Sequence, residues 1–178
     1  MGESRALEGR VAIITGAGGG LGRCHALELA RNGARIVVND LDEGAAGTVA
    51  QTIRENGGEA IAAVCSVTDE AAVARMVDRA TDAWGRIDIL VNNAGILRDK
   101  SFAKMDMADF RLVLDVHLMG AAICTKAVWG HMRAQEYGRI VMTTSSSGLY
   151  GNFGQANYSA AKMALVGLMQ TLAIEGAK

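Results

Sequence analysis

The sequence predicts an α/β fold: a doubly wound parallel sheet with helices on both faces. Two observations carry that expectation. Short apolar runs rich in β-branched residues alternate, without a linker, with longer segments of helical periodicity along the 178-residue chain. Those runs are almost continuously apolar, as strands covered on both faces require. No repeat or low-complexity segment intervenes, so a single domain over residues 1–178 is expected, long enough to bury a substantial core.

The first strand is read over residues 10–15, Arg-Val-Ala-Ile-Ile-Thr. It runs into Gly16-Ala17-Gly18-Gly19-Gly20-Leu21-Gly22 and then into a helical pattern with Ala26, Leu29 and Ala30 on one face. In a strand–glycine loop–helix unit, backbone N–H groups and the helix N-terminus cradle a pyrophosphate. Leu21 breaks the strict Gly-x-Gly-x-x-Gly spacing, and Gly16-x-x-x-Gly20-x-Gly22 fits instead. Gly16, Gly20, Leu21 and Gly22 are therefore candidate cofactor-binding residues. The second strand, residues 34–39, ends at Asp40, twenty positions after Gly20. A carboxylate there accepts hydrogen bonds from both adenosine ribose hydroxyls and repels a 2′-phosphate, which favours NAD over NADP. The competing reading of Asp40 is the N-cap of the next helix.

Helices follow over residues 42–56, with Ala46, Val49, Ala50 and Ile53 inward, and 69–84, with Val73, Met76, Val77 and Ala80 inward. Strands are read at 60–64, 87–91 and 139–143. A long helix is expected over 107–133, carrying Phe110, Leu114, His117, Ala121, Cys124 and Val128 along one stripe. The last helix, about residues 155–175, carries Tyr158 and Lys162. Residues four apart on a helix share a face, so the ammonium reaches the phenol. A cation beside a phenol favours the phenolate and moves a pKa of about 10 toward the working range. Tyr158 is thus a candidate general acid/base, and a serine of the run Ser145-Ser146-Ser147 could hold a substrate oxygen.

Composition removes other classes. Half of the residues are hydrophobic and the formal net charge is −1, with no basic patch interleaved with aromatics, which argues against nucleic acid. No uninterrupted apolar run reaches the roughly 18 residues of a membrane span, and Met1 to Arg5 lack a signal-peptide core. Cys24, Cys65 and Cys124 are odd in number and widely spaced, which suggests reduced cytoplasmic thiols. His25, His117 and His131 make no metal-ligand spacing with them, so no metal site is expected.

Taken together, Thr15-Gly16-x-x-x-Gly20-x-Gly22, Asn92-Asn93-Ala94-Gly95, Ser145 and Tyr158-x-x-x-Lys162 resemble the short-chain dehydrogenase/reductase family over essentially the whole chain. The resemblance implies a Rossmann-type NAD-dependent oxidoreductase of a secondary alcohol or ketone. Tyr158 would be its acid/base, Lys162 would lower the tyrosine pKa and bind the nicotinamide ribose, and Ser145 would position the substrate oxygen. Ser145 lies thirteen residues before Tyr158 with Gly148 three after it, the family spacing, which leaves Ser146 and Ser147 as loop residues. Asn93 would contact the adenosine part, while Ala94 and Gly95 let the cofactor approach the backbone. Two departures stand out. Ser66, followed by Val67, occupies the position near the adenine that often carries Asp, and both remain candidate adenine contacts. His117, twenty-four residues after Asn93, replaces an Asn that organises a water leading to the catalytic Lys. A core histidine on an apolar stripe is the competing reading of His117.

The stretches 92–102 and 148–158 look like the (3R)-hydroxyacyl-CoA dehydrogenase module of multifunctional β-oxidation enzymes. Alternatives are a 3-oxoacyl-thioester reductase, a steroid or other secondary-alcohol dehydrogenase, or a truncated dinucleotide-binding module without turnover. The last helix is apolar nearly all round from Met163 to Ile174, so it is either fully buried or packed against a partner. The family resemblance implies the second, a homodimer or homotetramer paired through its long helices. The family continues through two more strands, so the sheet here is expected to lack its C-terminal strands.

Overall fold

The computed structural model describes residues 5–177. Residues 1–4, which bear on the leader-peptide reading, and residue 178 lie outside the described residues. The core is a five-stranded, wholly parallel sheet in the order β3-β2-β1-β4-β5. The strands are β1 (Val11–Ile14), β2 (Arg35–Asp40), β3 (Ala60–Val64), β4 (Ile89–Asn92) and β5 (Arg139–Met142). The helices are α1 (Gly20–Arg31), α2 (Glu43–Glu55), α3 (Glu70–Trp84), α4 (Met107–Leu114), α5 (Gly120–Ala134), α6 (Ser146–Tyr150) and α7 (Ala156–Glu175).

The continuous apolarity of β1 has a direct structural cause. Alternate side chains of a strand point to opposite faces. Ala12 and Ile14 pack with Ala26 of α1 and Val49 and Ile53 of α2 on one face. Ile13 packs with Val73 and Val77 of α3 and Cys124 and Val128 of α5 on the other. Both faces are covered, so every position of β1 must be apolar, and each buried aliphatic side chain contributes about 1.5–3 kcal/mol. Three helices start on aspartates: Asp42, Asp69 and Asp106 accept the N–H of Ala45, Ala72 and Ala108 at 2.9, 2.9 and 2.8 Å. At the edge remote from the strand carboxyl ends, fully buried Asp88 accepts from Arg10, Arg86 and the Val11 N–H. Burial raises its pKa, but the hydrogen bonds from Arg86, Val11 and Arg10 outweigh that and hold the carboxyl below its ordinary range.

Three expectations need correction. The long helix is not one regular α-helix: α4 and α5 are joined by a π-helical turn, Asp115–Met119, with His117 at its centre. The i to i+5 hydrogen bonding of this single turn amounts to one inserted residue and shifts the helical face there, which no 3.6-residue pattern reports. Ser146 and Ser147 are not loop residues but the first residues of α6. The run Met107–Ala134 is long and apolar enough on average to cross a membrane, contrary to the reading of uninterrupted apolar stretches. Within the fold, its stripe Ala121, Cys124 and Val128 is buried, so its apolarity serves the core. Of the two readings of α7, enclosure by its own chain is not what the fold shows: only Asn157, Ala161, Lys162 and Leu165 are buried, in line with the expectation of incomplete cover. Among the described residues β5 is a sheet edge, and Val141 on it is half exposed. A cavity of about 660 Å³ lined by Trp129, Ile140, Met169 and Leu172 separates part of this strand from α7.

Candidate active site

The glycine loop closes the first half of the site. Gly16 and Gly20 have φ of +61° and +51°, which only glycine adopts without strain. A Cβ on Gly22 would run into the Gly16 carbonyl, and one on Gly18 would lie 2.8 Å from an Asp40 carboxylate oxygen. At Gly19 and Gly20 a Cβ would meet nothing, so the loop is open on that side. Unlike α2, α3 and α4, α1 has no side-chain cap and no acidic residue in its first turn. Its first N–H groups and positive helix end are left for an anion from outside the chain, which fits the diphosphate of a dinucleotide. Leu21 in this first turn is exposed.

Asp40, at the carboxyl end of β2, accepts from the Gly18 N–H at 2.9 Å and the Asp42 N–H at 3.1 Å. Asp42, not Asp40, caps α2, which removes the competing N-cap reading. Asp40 lines a cleft of about 310 Å³ together with Gly16, Ser66, Val67, Asn93, Ala94 and Gly95. The cleft thus brings together sequence-predicted positions from four loops. The Asn93 amide nitrogen donates to the carbonyls of Thr15 and Gly16, at 2.9 and 3.1 Å, and so holds the glycine loop. Ser66 Oγ lies 2.8 Å from Thr68 Oγ1, and Val67 is buried at the cleft wall.

The second half is built on α7. Lys162 is 3% exposed, its Nζ donates to the Thr143 carbonyl at 2.5 Å, and it sits 5.5 Å from the centroid of the Tyr158 ring. Burial pushes its pKa down to about 8. Ser145 caps α6, its Oγ accepting the Ser147 N–H at 3.2 Å. Gly148 lets α6 lie on α7, since a Cβ there would stand 3.0 Å from the Met163 amide nitrogen. Thr144 Oγ1 donates to the Lys162 carbonyl at 2.9 Å, which ties the end of β5 to the same turn of α7.

His117 stands between the halves. It is 4% exposed, perpendicular to the Tyr158 ring at 5.2 Å between centroids, with Nε2 2.8 Å from the Ile96 carbonyl. A Cβ on Gly95 would collide with its Cε1, so Gly95 makes room for the ring as well as for a ligand. Burial lowers its pKa and the charge of Lys162 adds to that, while the bond to Ile96 opposes it. His117 is therefore core-packed and in contact with the site at once.

Several organising residues escaped the sequence reading as site residues. Thr15 Oγ1 accepts the N–H groups of Asn93 and Ala94, both at 3.0 Å. Asn39 ties β2 to the Ala63 and Cys65 carbonyls, and Asn157, fully buried, ties α7 to the Arg98 carbonyl. Asn92 donates to Thr125 Oγ1. The available signal for Asn39 and Asn92 was a polar residue closing an apolar run at a strand carboxyl end, where such sheets bind ligands.

Comparison with known proteins bears on the family and the fold. The model of the short chain dehydrogenase family matches residues 10–178. The chain is 54% identical over 180 aligned positions to peroxisomal multifunctional enzyme type 2 of Drosophila melanogaster, with 96% of this chain aligned. It spans only 30% of that relative's length. It is 45% identical to a 3-oxoacyl-[acyl-carrier-protein] reductase of Synechocystis, covering 96% of this chain and 69% of the relative. The structure of NAD+-bound xylitol dehydrogenase superposes with a TM-score of 0.94 at 38% identity, over 97% of this chain and 66% of that one.

Proposed function

The chain belongs to the short-chain dehydrogenase family, and from that premise we propose that it moves a hydride between NAD and a secondary alcohol or ketone, with a 3-hydroxyacyl-CoA as substrate. The observation that carries the reading is Tyr158 beside the buried ammonium of Lys162, both on α7. Tyr158 takes the proton of the substrate hydroxyl during oxidation and returns it during reduction. Lys162 stabilises the negative charge that develops on the Tyr158 oxygen, and its anchor on the Thr143 carbonyl fixes where that charge is felt. Ser145, held at the N-cap of α6, orients the substrate oxygen. NAD, when bound, supplies the carbon that accepts the hydride. The N–H groups opening α1 hold its diphosphate, and Asp40 accepts the adenosine ribose hydroxyls. Ser66 and Val67 face the adenine, and Asn93, Ala94 and Gly95 form the wall between.

Asp40 supports NAD over NADP, because a 2′-phosphate would meet its carboxylate in the cleft. The thioester class is supported by the names of the multifunctional and 3-oxoacyl relatives and by the resemblance of the 92–102 and 148–158 segments. Reduction of a 3-oxoacyl thioester with NADPH is the second reading, and the same carboxylate speaks against it. The deciding assay compares turnover of a 3-hydroxyacyl-CoA with NAD, the same substrate with NADP, and simple alcohols with NAD. Turnover confined to the first pair is expected, and equal rates with NADP would remove the Asp40 argument.

We also propose that the chain is one domain and assembles with copies of itself through α7. Met163, Met169 and Ile174 are exposed by 48%, 43% and 70%, on a helix with no polar face to offer water. Light scattering at micromolar concentration is expected to give a dimer or tetramer; a monomer would contradict it. Three free thiols support a reducing compartment such as the cytoplasm.

A further inference from the structure

Among the described residues three buried side-chain atoms have no protein partner: Ser159 Oγ, and Nδ1 of His117 and Oδ1 of Asn92, which lie in residues that line the same cavity. His117 and Asn92 are 4% and 6% exposed. Their cavity is about 10 Å³, closed by Thr15, Ala121, Lys162 and Leu165. That is room for one water molecule and no more. Buried polar atoms without partners are costly, and a water with two hydrogens meets two acceptors at once. The Asn92 amide is oriented by its surroundings. Its nitrogen donates to Thr125 Oγ1 at 3.0 Å and to the Met142 sulfur at 3.4 Å, which turns the oxygen to the cavity.

The imidazole can be assigned in the same way. Nε2 is 2.8 Å from the Ile96 carbonyl oxygen and 3.0 Å from the Ile96 amide nitrogen, and one ring nitrogen serves only one of them. Lys162 lines the cavity, and its charge, felt at the His117 ring, disfavours an imidazole N–H turned toward it. The Nδ1 lone pair therefore faces the cavity, and Nε2–H donates to the Ile96 carbonyl.

We propose that this cavity is a single-water site in which one water donates to His117 Nδ1 and Asn92 Oδ1, making Asn92 a positioning residue for the active site. Through the water, Asn92 fixes the ring orientation of His117. The ring in turn fixes two neighbours: the Gly95–Ile96 backbone that walls the cleft, and the Tyr158 ring it meets edge-on. The site stands on this geometry alone; its kinetic consequence rests on the dehydrogenase reading.

The test is ¹⁵N NMR of histidine-labelled full chain, with a high-resolution crystal structure. His117 is expected as the neutral Nε2–H tautomer, with a cross-peak to a long-lived water and one water density between Nδ1 and Asn92 Oδ1. Asn92→Leu removes the acceptor. It is expected to mix the His117 tautomers and lower kcat about tenfold, with KM for NAD within about twofold. Asn92→Asp keeps an oxygen at the cavity and is expected to restore the tautomer. An unchanged His117 spectrum in Asn92→Leu, with only a lower melting temperature, would make Asn92 structural and overturn the proposal. If Asn92→Leu does not fold, the wild-type spectrum decides: an Nδ1–H tautomer or the absence of a bound water sinks it. A wild-type chain without turnover would refute the dehydrogenase reading and leave the NMR result to stand by itself.

Discussion

Around the glycine loop the chain binds itself, whereas around α7 it presents side chains over an open edge. Strands β1 and β4 are buried along their whole length. The loops at their carboxyl ends are laced by Thr15, Asn93 and Asp40 to main-chain groups of the neighbouring loop. Strand β5 alternates between exposed and half-buried positions, and α7 buries four of its twenty residues. The cofactor cleft is thus over-determined by backbone geometry, and small changes there have nowhere to go. The reacting groups hang on one helix, held by the Thr143 and Thr144 contacts and by His117. Damage to the first region should remove binding and stability together. Damage to the second should remove chemistry and leave binding.

The largest expected effect tests that separation. Tyr158→Phe removes the acid/base hydroxyl and keeps the ring against His117, so kcat should fall by about 10²–10⁴-fold. Dissociation of NAD, followed by fluorescence titration, should change by less than about twofold. A collapse of NAD affinity would show that the two regions are not separable. Next comes Gly22→Val on the bound side, where a side chain would meet the Gly16 carbonyl and the Asn93 amide. Overpacking of this kind costs about 1–3 kcal/mol, to be read by urea unfolding, and should carry NAD affinity down with it. Unchanged unfolding would mean that the loop is softer than its hydrogen bonds imply.

Legibility in the sequence follows the same division. The sheet, its helices and the cleft could be read because glycine spacing, strand apolarity and the Asp after β2 each have a local physical cause. The π-turn at His117 could not, because an inserted residue leaves the apolar stripe almost intact and changes only its phase. Helix α6 is five residues long, too short for periodicity, and shows itself only through the Ser145 cap and the contact of Gly148 with α7. Asn39 and Asn92 showed only as polar residues closing an apolar run; that they are buried amides tying strand ends to their neighbours needed the partners the fold supplies.

A smaller effect is expected at Asp40, which belongs to both binding and specificity. Asp40→Ala frees the Gly18 N–H and removes the charge facing a 2′-phosphate. The preference for NAD over NADP should fall by about tenfold, equivalent to 1.4 kcal/mol, read from the ratio of kcat/KM values. A preference that survives intact would move cofactor selection to another residue of the cleft.

The smallest effect concerns Lys162 and probes how dry the second region is. In the unfolded chain a lysine holds its proton to about pH 10.4. In the fold, burial pushes Lys162 down to about 8. Between these values the unfolded chain binds more protons than the folded one, so stability rises with pH across that window. Below pH 8 both forms are protonated and the burial penalty is fully present; above pH 10.5 both are neutral and the rise stops. Other groups titrate in the same range, so the measurement is a difference: the melting temperature of the cofactor-free wild type minus that of Lys162→Met. That difference should climb from pH 8 to pH 10.5 and stay flat below it. Parallel curves would mean that water reaches the ammonium, and α7 would then hold its reacting groups in a wetter setting than its buried lysine implies.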